Sequence, residues 1–132
     1  MKSDDIASDA SFPPLLHLSF ILQQLADDLL IREVGISVSQ ARIMSALDIS
    51  RPSLQNHVAQ SLSQTEANIS RQLKAMKSRG LVTVEKNKKD GRARDVRLTV
   101  KGRESYERAA SLLGREIANL ISSTGIRTAN LL

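Results

Sequence analysis

Lys88, Lys89, Arg92, Arg94 and Arg97 crowd around a single Asp90–Gly91 pair in the stretch NKKDGRARDVRLT. Basic side chains so spaced bind anions. An Asp-Gly pair between β-prone runs marks the turn of a hairpin, because glycine takes positive φ without steric cost. Like charges at a hairpin tip repel one another, and nothing in folding requires them there, so the natural suspect is a negatively charged partner. The charge is also regional. Residues 1–62 carry four Lys or Arg against seven Asp or Glu, whereas residues 71–103 carry twelve against three (Glu85, Asp90 and Asp95) in a chain of net charge +5. That segment predicts a polyanionic partner, although charge alone does not name it.

A second polar set falls on one helix. Ile69, Leu73 and Met76 are spaced four and three apart and form the buried stripe of a helix over 65–79. At ~100° per residue, Ala67, Asn68, Arg71, Lys74, Ala75 and Ser78 face the other way. That outer face runs small, amide, arginine, with no opposing acid. Asn and Arg are the side chains that meet adenine and guanine edges through two hydrogen bonds each. The bland alternative is an ordinary solvated helix surface. Ser63 with Glu66 fits a capping box for this helix, and Thr65 is the other candidate cap.

Catalytic sets do not assemble. His17 and His57 are the only histidines and there is no cysteine, so a metal site would rest on one imidazole and carboxylates. Asp27 and Asp28 are adjacent and point ~100° apart on a helix, a poor acid–base pair. No glycine-rich phosphate loop and no nucleophile–histidine–acid set is present. Tyr106 is expected to pack on the last helix rather than stack on a base. No enzymatic activity, cofactor or metal is expected, and without cysteine there is neither a disulfide framework nor a thiol switch.

The elements that must position these residues follow from periodicity and punctuation. Pro13 and Pro14 can start a first helix and Gly35 can stop it, with Leu18, Leu22, Leu25 and Leu29 at helical spacing. Leu15, Leu16, Ile21, Leu30 and Ile31 widen its apolar arc to two faces' worth of contact. SVSQARIMSALD predicts a short helix presenting Ile43, Met44 and Leu47. RPSLQNHVAQSLS predicts another from near Pro52, presenting Leu54, Val58 and Leu62. The 65–79 helix ends at Gly80. LVTVEK and RDVRLT form a two-stranded hairpin, and TVKGRESYERAASLLGREIANLISS a long last helix with Tyr106, Ala109, Leu112, Leu113, Ile117, Leu120 and Ile121 on its apolar side. Two short helices joined by a tight turn make a helix-turn-helix, whose second helix reads the DNA major groove. A hairpin directly after it is a wing, whose tip reaches an adjacent minor groove.

The 132 residues fit one domain. Aromatics are only 2%, which predicts an aliphatic core. No apolar run approaches the ~18 residues of a membrane span, and the acidic start MKSDDIASDASFPP is unlike a signal peptide, so a cytoplasmic protein is expected.

DGRARDVRLTVKGRE resembles the wing signature of the MarR family of bacterial transcription regulators, Asp-x-Arg-x-x-x-Val-x-Leu-Thr-x-x-Gly, through Asp90, Arg92, Val96, Leu98, Thr99 and Gly102. NISRQLKAMKSRGLV is similar to the family's recognition helix, GISVSQARIMSAL to its second helix and HVAQSL to its third, so the resemblance spans about residues 15–123. It implies a mainly α fold with a small β-hairpin wing: dimerisation helices at 12–34 and 100–132 flanking a DNA-binding winged helix at 36–99. It also implies a homodimer on a pseudopalindromic operator of double-stranded DNA; repression is the expected action, with activation and the identity of any small-molecule effector left open. Carried over by position, Ala67, Asn68 and Arg71 meet base edges and Arg92 enters the minor groove. Thr65, Lys74, Lys88, Lys89 and Arg94 complete the expected DNA-binding set. The rival readings are a winged helix that docks an acidic protein, and a module that binds nucleic acid without sequence preference.

Overall fold

The computed structural model describes residues 13–124. Expectations for the first twelve residues and for 125–132 lie outside the described residues. The order is α1 (Pro14–Glu33), α2 (Val38–Ser45), β1 (Ser53–Leu54), α3 (Gln55–Ser61), α4 (Glu66–Ser78), β2 (Val82–Lys86), β3 (Arg94–Leu98) and α5 (Val100–Thr124). The fold is mainly helical with a small antiparallel sheet, a winged helix-turn-helix flanked by two longer helices.

Local chemistry sets most boundaries. Pro14 at the first helical position opens α1, where a missing N–H costs nothing, and Gly35 at φ +80° lets the chain leave it. Ser37 and Gln40 form a reciprocal capping box on α2, and the Asp27 carboxylate accepts the Val38 N–H at 2.7 Å. Asp27 is thus a cap that ties α1 to α2. Gly80, at φ +74°, ends α4: its N–H donates to the Lys77 carbonyl and that of Leu81 to the Met76 carbonyl, satisfying two terminal acceptors.

The core is aliphatic, as expected. Ile43 and Met44 of α2, Val58 of α3, Ile69, Leu73 and Met76 of α4, Val82 of β2, Val96 and Leu98 of β3 and Ala109 of α5 are all buried around Leu30 and Ile36. Tyr106, Leu112 and Leu113 pack against this cluster from α5. The predicted stripe of α4 is therefore the wall on which its outer face is mounted.

Two expectations are corrected and one open choice is settled. The wing is part of a three-stranded sheet, order β1-β3-β2, rather than a two-stranded hairpin: Ser53 and Leu54 pair with Val96 and Asp95. For the same reason α3 begins at Gln55, not near Pro52, because the backbone of Ser53–Leu54 is spent on the sheet. The cap of α4 is Thr65, whose Oγ1 accepts the Asn68 N–H at 3.1 Å, and Ser63 caps nothing there. Ser63 sits at φ +54° in the turn after α3, whereas a capping residue needs extended backbone.

The outermost helices bury less than their composition promises. Leu30 is the one fully buried residue of α1, while Leu15, Phe20 and Leu25 are 76%, 56% and 60% exposed and Ile117 and Leu120 of α5 are 55% and 49% exposed. Nothing among the described residues covers that apolar surface.

Candidate nucleic-acid interface

The site is built on α4. With Ile69, Leu73 and Met76 locked inside, Ala67, Arg71, Lys74, Ala75 and Ser78 are exposed and Asn68 is half-buried, so the outward face is the one predicted. Gln72, at the flank, donates from Nε2 to Ser39 Oγ at 2.8 Å and fixes the helix to α2. Its polar face is internally organised. The Asn68 Nδ2 donates to Gln64 Oε1 at 2.5 Å, and the Asn68 Oδ1 accepts from Arg71 Nη2 at 2.7 Å. Thr65 is exposed and serves as the cap, so its hydroxyl acts first within the chain.

The wing tip is held by side chains rather than by apolar contacts. Asp90 Oδ1 accepts the Arg92 N–H at 3.0 Å, the turn-internal role expected of an acid in a basic loop. Asn87, which sequence reasoning passed over, does more. Its Oδ1 accepts the N–H groups of Lys89 and Asp90 at 2.9 and 3.0 Å, its Nδ2 donates to Asp95 at 2.9 Å, and its N–H donates to the Ala93 carbonyl. This loop presents Lys88, Lys89 and Arg92 to solvent, whereas the half-buried Arg94 turns back, Nη1 donating to the Gly91 carbonyl at 3.2 Å.

Between α4 and the sheet runs a groove lined by Ser70, Lys74 and Lys77 of α4, Arg92 and Arg94 of the wing and Gln55 of α3, floored by Leu73 and Val84. It brings together Lys74, Arg92 and Arg94 of the expected set with four cations and no carboxylate on its walls. Asn68 and Arg71 stand on α4 toward its N-terminus, and Lys88 and Lys89 at the wing tip, outside that groove. Lys77 and Gln55 are additions. Lys77 follows Lys74 at helical spacing and could have been found that way, but Gln55 could not, because the start of α3 was misplaced. Among the described residues there are two ion pairs, Arg32–Glu33 and Arg103–Glu107, so eleven of the twelve basic residues of 71–103 have no carboxylate partner. A cation without an intramolecular partner is free to neutralise an external anion.

Each residue of the wing signature has a local task. Asp90 closes the turn, Arg92 projects from it, and Val96 and Leu98 are buried in the sheet. Thr99 Oγ1 donates to the Gly80 carbonyl at 2.6 Å and accepts the Gly102 N–H at 3.0 Å, joining the end of α4 to the start of α5. Gly102 lies so close to β2 that an added Cβ would stand 2.1 Å from the Leu81 carbonyl oxygen. The residues weighed for catalysis stay apart: His17 and His57 are exposed on different helices, and among the described residues no three His, Asp or Glu side chains gather as metal ligands. No helix among the described residues is long and apolar enough to cross a membrane.

Residues 34–93 match the MarR family. Among curated proteins, none matches this sequence closely enough to count as a relative. Solved structures do resemble it. The DNA complex of S. aureus MepR superposes with a TM-score of 0.72 at 22% identity, covering 83% of this chain and 80% of that one. The transcriptional regulator BldR from Sulfolobus solfataricus gives 0.75 at 20% identity, covering 92% and 86%. The transcriptional regulator MosR of M. tuberculosis, solved in complex with DNA, gives 0.69 at 26% identity over 86% and 81%.

Proposed function

We propose that the chain, whose residues 34–93 match the MarR family, is a MarR-type DNA-binding transcriptional regulator, a homodimer that represses by occupying a pseudopalindromic operator in the cytoplasm. The observation that carries the reading is the groove between α4 and the wing, with four cations and no acid, beside a helix face of Ala67, Asn68 and Arg71. A docking surface for protein would present large exposed apolar anchors at its centre, whereas here Leu73 and Val84 lie on the floor beneath a rim of cations.

The roles divide by chemistry. Arg71 projects from the N-terminal half of α4, the end that meets base edges when such a helix enters the major groove. Ala67 is small enough to let the backbone approach, and Thr65 sits at the helix start near the DNA backbone. Lys74, Lys77 and Arg94 line the groove that phosphates would cross, fixing register without reading sequence. Lys88 and Lys89 hold phosphates beyond it, and Arg92 enters a minor groove, where narrowing concentrates negative potential. The exposed apolar residues of α1 and α5 form the dimer interface, which sets two such faces one DNA turn apart, ~10 base pairs.

Selection of binding sites from random duplex DNA tests this directly. The expected product is an inverted repeat with half-sites about one turn apart. Enrichment of no sequence would point instead to binding without preference, and no retention of duplex at all would sink the DNA reading.

A further inference from the structure

Asn68 has the right chemistry to read adenine, yet its carboxamide is engaged at both ends inside the chain. The constraint starts at Arg71. A guanidinium can only donate, so the Asn68 atom 2.7 Å from its Nη2 must be the oxygen. That choice turns the Asn68 amide nitrogen toward Gln64, which must in turn present its own oxygen, at 2.5 Å. Gln64 is fixed by the turn between α3 and α4, where its N–H donates to the Ala59 carbonyl at 2.9 Å, and its side chain is half-buried. Asn68 is itself half-buried, with its N–H held by Thr65. The row Gln64–Asn68–Arg71 is thus a strut that runs from the turn to the exposed guanidinium.

We propose that Asn68 is a positioning residue for Arg71, so that the two side chains specify one base pair of each half-site between them rather than one each. This rests on the DNA-reading role of α4 proposed above and goes past it. Arg71 has five N–H donors and spends one on Asn68, which leaves enough for a two-bond contact with a guanine edge. A long, exposed arginine otherwise loses its rotamer freedom on binding, and an arginine already held in place avoids that loss. Gln64 sets where the strut stands, and Asn68 sets which way Arg71 leaves the helix.

The experiment measures competition among duplexes that vary the selected half-site one base pair at a time, for wild type, Arg71→Ala, Asn68→Ala, the double variant and Asn68→Asp. Melting curves check each fold. Arg71→Ala is expected to lose about tenfold preference at one base pair. Asn68→Ala should lose several-fold at that same base pair, and the double variant should be no worse there than Arg71→Ala. Asn68→Asp keeps an acceptor for Arg71 but has no amide donor, so it should restore the preference at that base pair while lowering affinity for all sequences alike. Loss of preference at a second base pair in Asn68→Ala, with the Arg71 position intact and losses adding in the double variant, makes Asn68 an independent reader and overturns the proposal. Failure of Asn68→Asp to restore the preference overturns it too. If Arg71→Ala changes preference at no position, the reading role of α4 is itself wrong, a result distinct from either.

Discussion

Replacing Gly102 by alanine tests whether the wing and the last helix are one rigid piece. An alanine Cβ at this position would lie 2.1 Å from the Leu81 carbonyl oxygen and 2.8 Å from a Leu98 methyl group, so α5 must back away from the sheet by about 1 Å or more to reach ordinary contact. It cannot do so freely. The Leu81 oxygen already accepts the Thr99 N–H at 3.1 Å, and Thr99 Oγ1 accepts the Gly102 N–H at 3.0 Å, so retreat stretches one of the two bonds. Forcing a methyl into a packed site costs ~1–3 kcal/mol, and a weakened hydrogen bond adds ~1 kcal/mol. Alanine's better helix propensity returns ~1 kcal/mol. The net is a destabilisation of about 2 kcal/mol, or a fall in Tm of roughly 5–10 °C for a domain of this size. Urea unfolding followed by circular dichroism reads it as a lower midpoint at unchanged slope. Gly114→Ala is the control, since nothing lies within 4 Å of the added atom, and it should be neutral or mildly stabilising. A Gly102→Ala protein with an unmoved or higher midpoint would refute the steric argument.

The wing charges divide by salt dependence: Lys88→Ala and Lys89→Ala should each weaken all duplexes alike and reduce the slope of log K against log salt by about 0.9, whereas Arg92→Ala should hurt most on sites with narrow, A·T-rich flanks. Affinity and slope unchanged after all three substitutions would leave the basic tip without a DNA role. On assembly, light scattering at micromolar concentration should give a dimer for the wild type and a monomer for Leu25→Glu, whose charge would fall on the exposed apolar face of α1. A wild-type monomer that binds an inverted repeat without cooperativity contradicts the dimer. Finally, hydrogen bonds from the Ser50 N–H and hydroxyl hold the Asp48 carboxyl below the usual carboxylate value. Its contribution is therefore present above that value and is lost as pH falls through the depressed one, so Asp48→Asn should make acid unfolding less steep at the lowest pH, and an identical acid limb would count against it.

What could be read in advance was periodic or local. The Ile69, Leu73 and Met76 stripe, the Asp90–Gly91 turn and the stop at Gly80 each follow from a few neighbouring residues, and with them came the outer face of α4 and the basic wing. What escaped depends on partners distant in sequence. Nothing in Ser53–Leu54 says strand until Asp95 and Val96 arrive beside it, and that error also displaced the start of α3 and hid Gln55. Ser63 and Thr65 are equally good caps on paper, and the choice rests on backbone that turns left-handed at Ser63. Asn87 reads as an ordinary loop residue because its hydrogen bonds become visible only when the loop is closed. The Gln64–Asn68–Arg71 row has helical spacing throughout, yet spacing alone does not say that the amide faces inward along the helix rather than out.

The double pairing of β3 also has a bearing on how the chain is made. Val96 faces Val84 across one edge of β3 and Ser53 across the other. The β2–β3 hairpin can close locally, but a two-stranded hairpin is marginal by itself in water. Its third strand precedes α3 and α4 in the sequence, so the sheet is complete only when the chain has closed on itself around the entire helix-turn-helix, a slow, non-local step. A ribosome therefore releases α4 before the strand that anchors it exists, and until β1 docks, one edge of β3 stands open to pairing with another chain. Arg94 and Arg97 lie on that strand. Charged side chains on an open strand edge disfavour pairing with another chain, so the charge of β3 bears on folding as well as on the finished surface.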